Sequence, residues 1–191
     1  MKAPKNLILA SGSPRRAEIL TFVGWEFTKQ VPDIDETEMN GEAPDDYVLR
    51  LAKKKAELIA GKNPGSIILG ADTTVVIDNR IIGKPTSHDD ARKMIELLSG
   101  REHEVLTGVA IVNDGRTIGG LQRTRVKFAE MDEDEIEFLV AFGEPLDKAG
   151  GYAVQAQAAL FIEYIDGDYW NVVGLPINLV YRLMKEHSII K

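Results

Sequence analysis

Ile67-Ile68-Leu69-Gly70-Ala71-Asp72-Thr73-Thr74-Val75-Val76-Ile77 decides how this chain is read. Two apolar triplets, Ile67–Leu69 and Val75–Ile77, enclose five small or polar residues. A short apolar run without polar alternation, rich in β-branched residues, predicts a strand covered on both faces, here over Ser66 to Ile77. One carboxylate, Asp72, interrupts it. Burying a carboxylate without a partner is costly, so Asp72 needs a cation or hydrogen-bond donors. Gly70 and Ala71 leave room beside it for a ligand. The competing structural explanation is a bulge or turn at which Asp72 caps the backbone; the functional explanation is preferred here.

Outward from that strand, helical and strand patterns alternate. Lys5–Ala10 reads as a short buried strand. Ser13 suits a helix N-cap, Pro14 the first helical position and Gly24 a helix stop. Glu26–Val31 reads as a strand, Pro32–Asp45 as an acidic loop and Asp46–Ala60 as a helix. Asp78-Asn79 marks a turn, and Ser87–Leu98 a helix ending at Gly100. Glu104–Val112 and Arg116–Phe128 form a hairpin around Asn113-Asp114-Gly115. Asp132–Phe142 reads as a helix. Ala159–Ile165 and Tyr169–Val173 read as a second hairpin around Asp166-Gly167-Asp168. Pro176–Glu186 is the last helix. The expected fold class is α/β with mixed α+β character: a mixed sheet with helices against it rather than a purely parallel one.

Composition bounds the function. The 191 residues suit a single domain, 1–191, with room for two lobes. Apolar residues make up 44%, enough for a core, and charged residues 28%, which argues against a membrane protein. The net charge of −7 makes general nucleic-acid binding unfavourable, although a few converging cations and a divalent metal can still hold a polyanion. The absence of cysteine excludes disulfides, thiolate catalysis and cysteine-ligated zinc. His88, His103 and His187 have no metal-ligand spacing. Leu7–Ala10 is too short for a signal sequence or a membrane span, so a cytoplasmic location is the default expectation.

Several stretches have chemical potential. Ser11-Gly12-Ser13-Pro14-Arg15-Arg16 joins a strand to a helix start, where free N–H groups and the positive helix end favour an anion. Two arginines there oppose the helix dipole, and a negative group nearby would offset that; from spacing alone, an ordinary capped helix with solvated arginines is the simpler explanation. Asp33-Ile34-Asp35-Glu36 offers oxygen ligands for Mg²⁺ or Mn²⁺, or is a solvated acidic loop. In the 46–60 helix, Val48, Leu51, Ala52, Ala56 and Ile59 form one apolar stripe, and Lys55 shares its face while Lys53 and Lys54 project away. An inward lysine needs an anion or a route to water. Gly83-Lys84-Pro85 places a lysine on a rigid loop. Asp147–Gln155 is a Gly-rich stretch with one amide, Gln155, which either lines a ligand site or is a connector with Asp147-Lys148 as a surface pair. No Walker P-loop, Gly-x-Gly-x-x-Gly or Gly-x-Ser-x-Gly is present. Residue chemistry alone leads to a phosphorylated small molecule handled with a metal.

The segments ASGSPRR (10–16), DIDE (33–36), RLAKKKA (50–56), LGADTTV (69–75), GKP (83–85), LSGREHEVLTGVA (98–110), EPLDKAGGYAVQ (144–155) and NVVGLP (171–176) together resemble the Maf-like nucleotide pyrophosphatases, from Leu7 to about Met184. The resemblance implies a twisted mixed sheet flanked by helices, with two lobes around a nucleotide cleft. It implies divalent-metal-assisted hydrolysis of a nucleoside triphosphate to monophosphate and diphosphate. DKAGGYAVQ is similar to the dTTP/UTP branch rather than the methylated-GTP branch, with Ala156 where that branch usually has Gly. By motif, Asp72 corresponds to the proton acceptor, and Arg15, Thr73 and Gln155 to positions that set substrate preference. Glu36, Lys55 and Lys84 correspond to further active-site positions, and Ser13 lies in the matching phosphate-binding turn. Glu36 and Asp72 are the expected metal ligands. The family's association with arrest of cell division and septum formation makes a nucleotide-binding regulator the alternative. The expected partner is the nucleotide, with no nucleic acid and no membrane; a homodimer is a compatible assembly.

Overall fold

A computed structural model describes residues 4–190. The decisive strand, β3 (Ile67–Ile77), runs unbroken for 11 residues, straight through Asp72. Strand β1 (Leu7–Ala10) pairs with it in parallel, Ile8 opposite Ile68 and Leu9 opposite Leu69. On its other side β1 pairs in parallel with β2 (Thr28–Gln30). The sequence predicts a longer strand over 26–31, but β2 matches only the three residues Ile8–Ala10 that pair with it. A strand not evident in the sequence, β4 (Arg80–Ile82), folds back antiparallel on β3. Asp78 and Asn79 both take left-handed φ, 52° and 58°, as a tight two-residue hairpin requires. Strands β5 (Glu102–Asn113) and β6 (Arg116–Phe128) form the expected long hairpin, and β7 (Ile162–Asp166) pairs antiparallel with β6. Among the described residues the sheet has seven strands, in the order β2-β1-β3-β5-β6-β7 with β4 beside β3. It is mixed, as the sequence predicts.

The second predicted hairpin does not form. Tyr169–Val173 is a short helix, α5, not a strand. The Asp168 side chain accepts from the backbone N–H groups of Trp170 (2.8 Å) and Asn171 (3.4 Å), which caps a helix start. The buried Asn171 amide donates to Val105 O and Thr124 Oγ1, fixing that turn in place. Local side-chain capping therefore outweighs the β-propensity of Tyr-Trp-Asn-Val-Val.

The remaining helices are α1 (Pro14–Phe22), α2 (Pro44–Ala60), α3 (His88–Leu98), α4 (Glu133–Phe142) and α6 (Ile177–Glu186). Ser87 caps α3 through Asp90 N, and Asp132 and Glu135 form a reciprocal capping box on α4.

The chain divides into two compact units, and β3, β5 and β6 each contribute to both. The first holds the chain through Asp72, Thr107–Gln122 and the segment from Gly174 onward. Its core includes Ile8, Ala52, Ala56, Ile59, Ile68 and Val112. Glycine lets α2 lie directly on the sheet there. A Cβ on Gly70 would come within 2.5 Å of Ala52 O, and one on Gly108 within 2.4 Å of Val48 O. The second unit holds Thr73–Leu106 and Arg123–Val173, with Val75, Ile95, Leu98, Phe128, Leu139 and Tyr152 among its core residues.

Candidate active site

In the first unit, the apolar stripe of α2 packs inward and carries Lys55 with it. Lys55 is buried, whereas Lys53 and Lys54 are exposed, as helical spacing predicts. Its ammonium lies 2.6 Å from Asp72 Oδ1 and 2.6 Å from Glu36 Oε1. Side-chain exposure rises from 9% at Asp72 and 8% at Lys55 to 47% at Glu36, so this charged row runs from the interior to water. The Asp72 carboxylate bonds to Lys55 within an unbroken strand, so the bulge explanation does not hold. Burial raises the Asp72 pKa, against the opposing pull of Lys55 and Arg16.

The turn between β1 and α1 is organised by Arg16, which spacing alone suggests is solvated. Arg16 is buried; its Nε donates to Gly174 O (2.8 Å) and its Nη1 to Ser11 Oγ (3.0 Å). Ser11 Oγ also accepts from Ser13 N at 3.2 Å. Ser13 occupies the N-cap position of α1, but its side chain makes no capping hydrogen bond, contrary to expectation. Burial lowers the Arg16 pKa, while the charges of Asp72 and Glu36 favour its ionised form. Those carboxylates are the negative groups that offset the Arg16 charge at this helix start. The signal was available: Arg16, Ile19 and Leu20 are the buried positions of α1, at i, i+3 and i+4. Arg15 is half-buried on the first turn of the same helix.

The second unit carries the other expected residues. Thr73 follows Asp72 on β3 and is half-buried. Lys84 and Gln155 are exposed. The loop with Lys84 is tied to the Gly-rich stretch by a hydrogen bond from Gly150 N to Gly83 O, 3.0 Å. Gly150 has φ 69°, and a Cβ there would come within 2.9 Å of Val75 Cγ2. Lys148 does pair with Asp147, whose side chain is exposed, but Lys148 itself is buried, and its ammonium also binds Glu144 O. Three residues before Gln155, Tyr152 is buried, with its hydroxyl 2.7 Å from His103 Nε2. The stretch 148–152 is thus anchored at Lys148, Gly150 and Tyr152.

Among the described residues, no three or more His, Cys, Asp or Glu side chains gather as a metal cluster. The carboxylates that converge are those of Glu36 and Asp72, on one ammonium. His103 is a core residue rather than a ligand candidate.

These features define an α/β protein with a lysine held between two carboxylates and an arginine-braced strand–helix turn. The family model described as Maf-like protein matches residues 6–187, and the chain belongs to the Maf family. It is 46% identical over 185 residues to a dTTP/UTP pyrophosphatase of Bacillus cereus, covering 97% of this chain and 91% of that protein. It is also 46% identical to the dTTP/UTP pyrophosphatase of Bacillus anthracis, covering 97% of each. Among solved structures, the Staphylococcus aureus Ham1 protein aligns over 96% of this chain and 100% of its own, with a TM-score of 0.53 and 15% identity. That likeness concerns the fold alone.

Proposed function

We propose that this chain hydrolyses dTTP and UTP between the α- and β-phosphates, releasing the nucleoside monophosphate and pyrophosphate. The observation that carries the reading is the Glu36–Lys55–Asp72 row. It is supported by the 46% identity to proteins named dTTP/UTP pyrophosphatase. In this reading Asp72 takes a proton from water as the water oxygen bonds to the α-phosphorus. The bond from that phosphorus to the bridging oxygen breaks, and pyrophosphate leaves. A carboxyl with a raised pKa is the stronger base for that transfer. Lys55 and Arg15 supply positive charge for the phosphates, and Lys84 is proposed as a further cation. Thr73 and Gln155 are proposed to set substrate preference, and Ser13 to help bind phosphate.

Two carboxylates suit Mg²⁺ or Mn²⁺, because Mg²⁺ is commonly held by one or two carboxylates plus substrate phosphates. Glu36 and Asp72 would hold the ion, which supplies charge neutralisation and a more acidic water. A nucleotide-binding regulator of division needs cations but not two carboxylates on one ammonium, so the row supports the enzyme. Among the described residues no helix is long and apolar enough to cross a membrane. The reading places the protein in the cytoplasm with the nucleotide as partner; its net charge of −7 speaks against nucleic acid.

The test is a nucleotide panel with Mg²⁺ or Mn²⁺ in which pyrophosphate and orthophosphate are separated. Pyrophosphate from UTP and dTTP, abolished by EDTA and restored by metal, is the expected result. Orthophosphate with a nucleoside diphosphate would refute cleavage at the α-phosphorus.

A further inference from the structure

Glu36 belongs to a segment without regular structure, residues 31–43, that is mostly exposed. Such a segment does not by itself hold a carboxylate in one place. Three side chains of α2 reach into it, all within the first unit. The Tyr47 hydroxyl donates to Glu36 O at 3.1 Å. Arg50 Nη2 donates to Thr37 O at 3.1 Å. Arg50 also grips Glu42 with both edges of its fork, Nε to Oε1 at 2.5 Å and Nη2 to Oε2 at 2.6 Å. Glu42 Oε2 in turn accepts from Met39 N, and Glu42 N donates to Met39 O, closing the loop on itself. The Arg50 guanidinium lies over the Tyr47 ring, 5.6 Å from its centre. Both ends of the pair are largely covered, with side-chain exposures of 17% and 7%. The hydrogen bond from Arg50 pulls the Glu42 pKa down to about 2. The third α2 side chain, Lys55, meets the Glu36 carboxylate itself.

We infer that the Arg50–Glu42 fork, with Tyr47, is a positioning device that holds Glu36 against Lys55 and Asp72. The inference rests on the proposed role of Glu36. One helix thereby supplies both the ammonium and the strap for the loop carboxylate opposite it. Arginine fits this place better than lysine, because only a planar fork meets both Glu42 oxygens while a third contact goes to Thr37 O.

The experiment is a double-mutant cycle on the full chain, with kcat and KM for UTP at saturating Mg²⁺ and Tm for each variant. Arg50→Met is expected to lower kcat by about 10- to 100-fold, the scale of a displaced active-site group. Arg50→Lys is expected to lose less, and Tyr47→Phe least. In a Glu36→Gln background, Arg50→Met should change kcat by less than about twofold, because the group it positions is already gone. If Arg50→Met does not fold, Tyr47→Phe in both backgrounds completes the same cycle. A full Arg50→Met loss that persists beside Glu36→Gln overturns the inference. So does near-wild-type kcat in Arg50→Met when Glu36→Gln is impaired. Wild-type turnover in Glu36→Gln itself refutes the role of Glu36, and the positioning role falls with it.

Discussion

The ammonium of Lys55 lies 2.6 Å from the carboxylate of Asp72, and both side chains are more than nine-tenths covered. The contact joins a helix to the strand beneath it, and the backbone of that helix lies against Gly70 two residues before Asp72. Lys53 and Lys54, its neighbours in sequence, point to solvent. Lys55→Met keeps the stem and removes the charge, so it should cut turnover by at least about 100-fold. Lys53→Met and Lys54→Met should stay close to wild type. Equal losses in kcat for the three would contradict the site.

Asp72→Asn keeps the shape and an acceptor for Lys55 while removing charge and basicity. We expect kcat to fall by roughly 10²–10⁴-fold, the range of a lost general base. Near-ultraviolet circular dichroism should remain native. A purified, folded variant with near-wild-type kcat would refute the assignment, and a variant that loses fold rather than rate would make Asp72 structural.

Gly70→Ala tests how α2 sits on β3. The new methyl would meet backbone atoms, Ala52 O at 2.5 Å and Ala56 N at 2.9 Å, so the helix must lift. The expected cost is about 1–3 kcal/mol by chemical denaturation, with turnover falling too because Lys55 moves away from Asp72. Unchanged stability and activity would show that the close approach is not needed.

His103 supplies a pH dependence of stability. It is buried edge-on to Phe128 and Tyr152, its Nε2 meets Tyr152 Oη, and its Nδ1 has no hydrogen-bond partner among the described residues. Burial lowers its pKa from 6.5 to about 4. Between those values the unfolded chain binds a proton that the folded one does not, so stability falls as pH drops from 6.5 to 4. The full loss is about 3 kcal/mol, and above pH 6.5 this group contributes no slope. Urea midpoints for wild type and His103→Gln should converge as the pH falls from 7 to 4. Parallel curves would mean that His103 does not titrate in this way.

Gln155 is exposed, beyond the anchored 148–152 stretch. Uracil and thymine present an acceptor beside a donor, and a carboxamide offers the complementary pair. Gln155→Leu should lower kcat/KM on UTP and dTTP by roughly 1–3 kcal/mol, the scale of one unpaired polar group. The same measurement on CTP and GTP decides its role. Uniform loss across all four would show that Gln155 supports the protein without reading the base.

By itself, the sequence determined whatever depends on residues close together in the chain. The apolar run around Asp72 predicted a buried strand with a carboxylate in it, and the 3.6-residue stripe of α2 singled out Lys55 from three adjacent lysines. Those signals are local because backbone periodicity alone places the side chains on a face. Tertiary structure decided the partners. Arg16 finds the carbonyl of Gly174, 158 residues away, and Asn171 finds that of Val105, 66 residues away. The length of β2 was likewise settled by its pairing with β1, and the place of the locally capped α5 by the contacts of Asn171 with Val105 and Thr124. A buried polar group must find a complement, and the sequence announces that need; only the packing of distant segments determines which atom meets it.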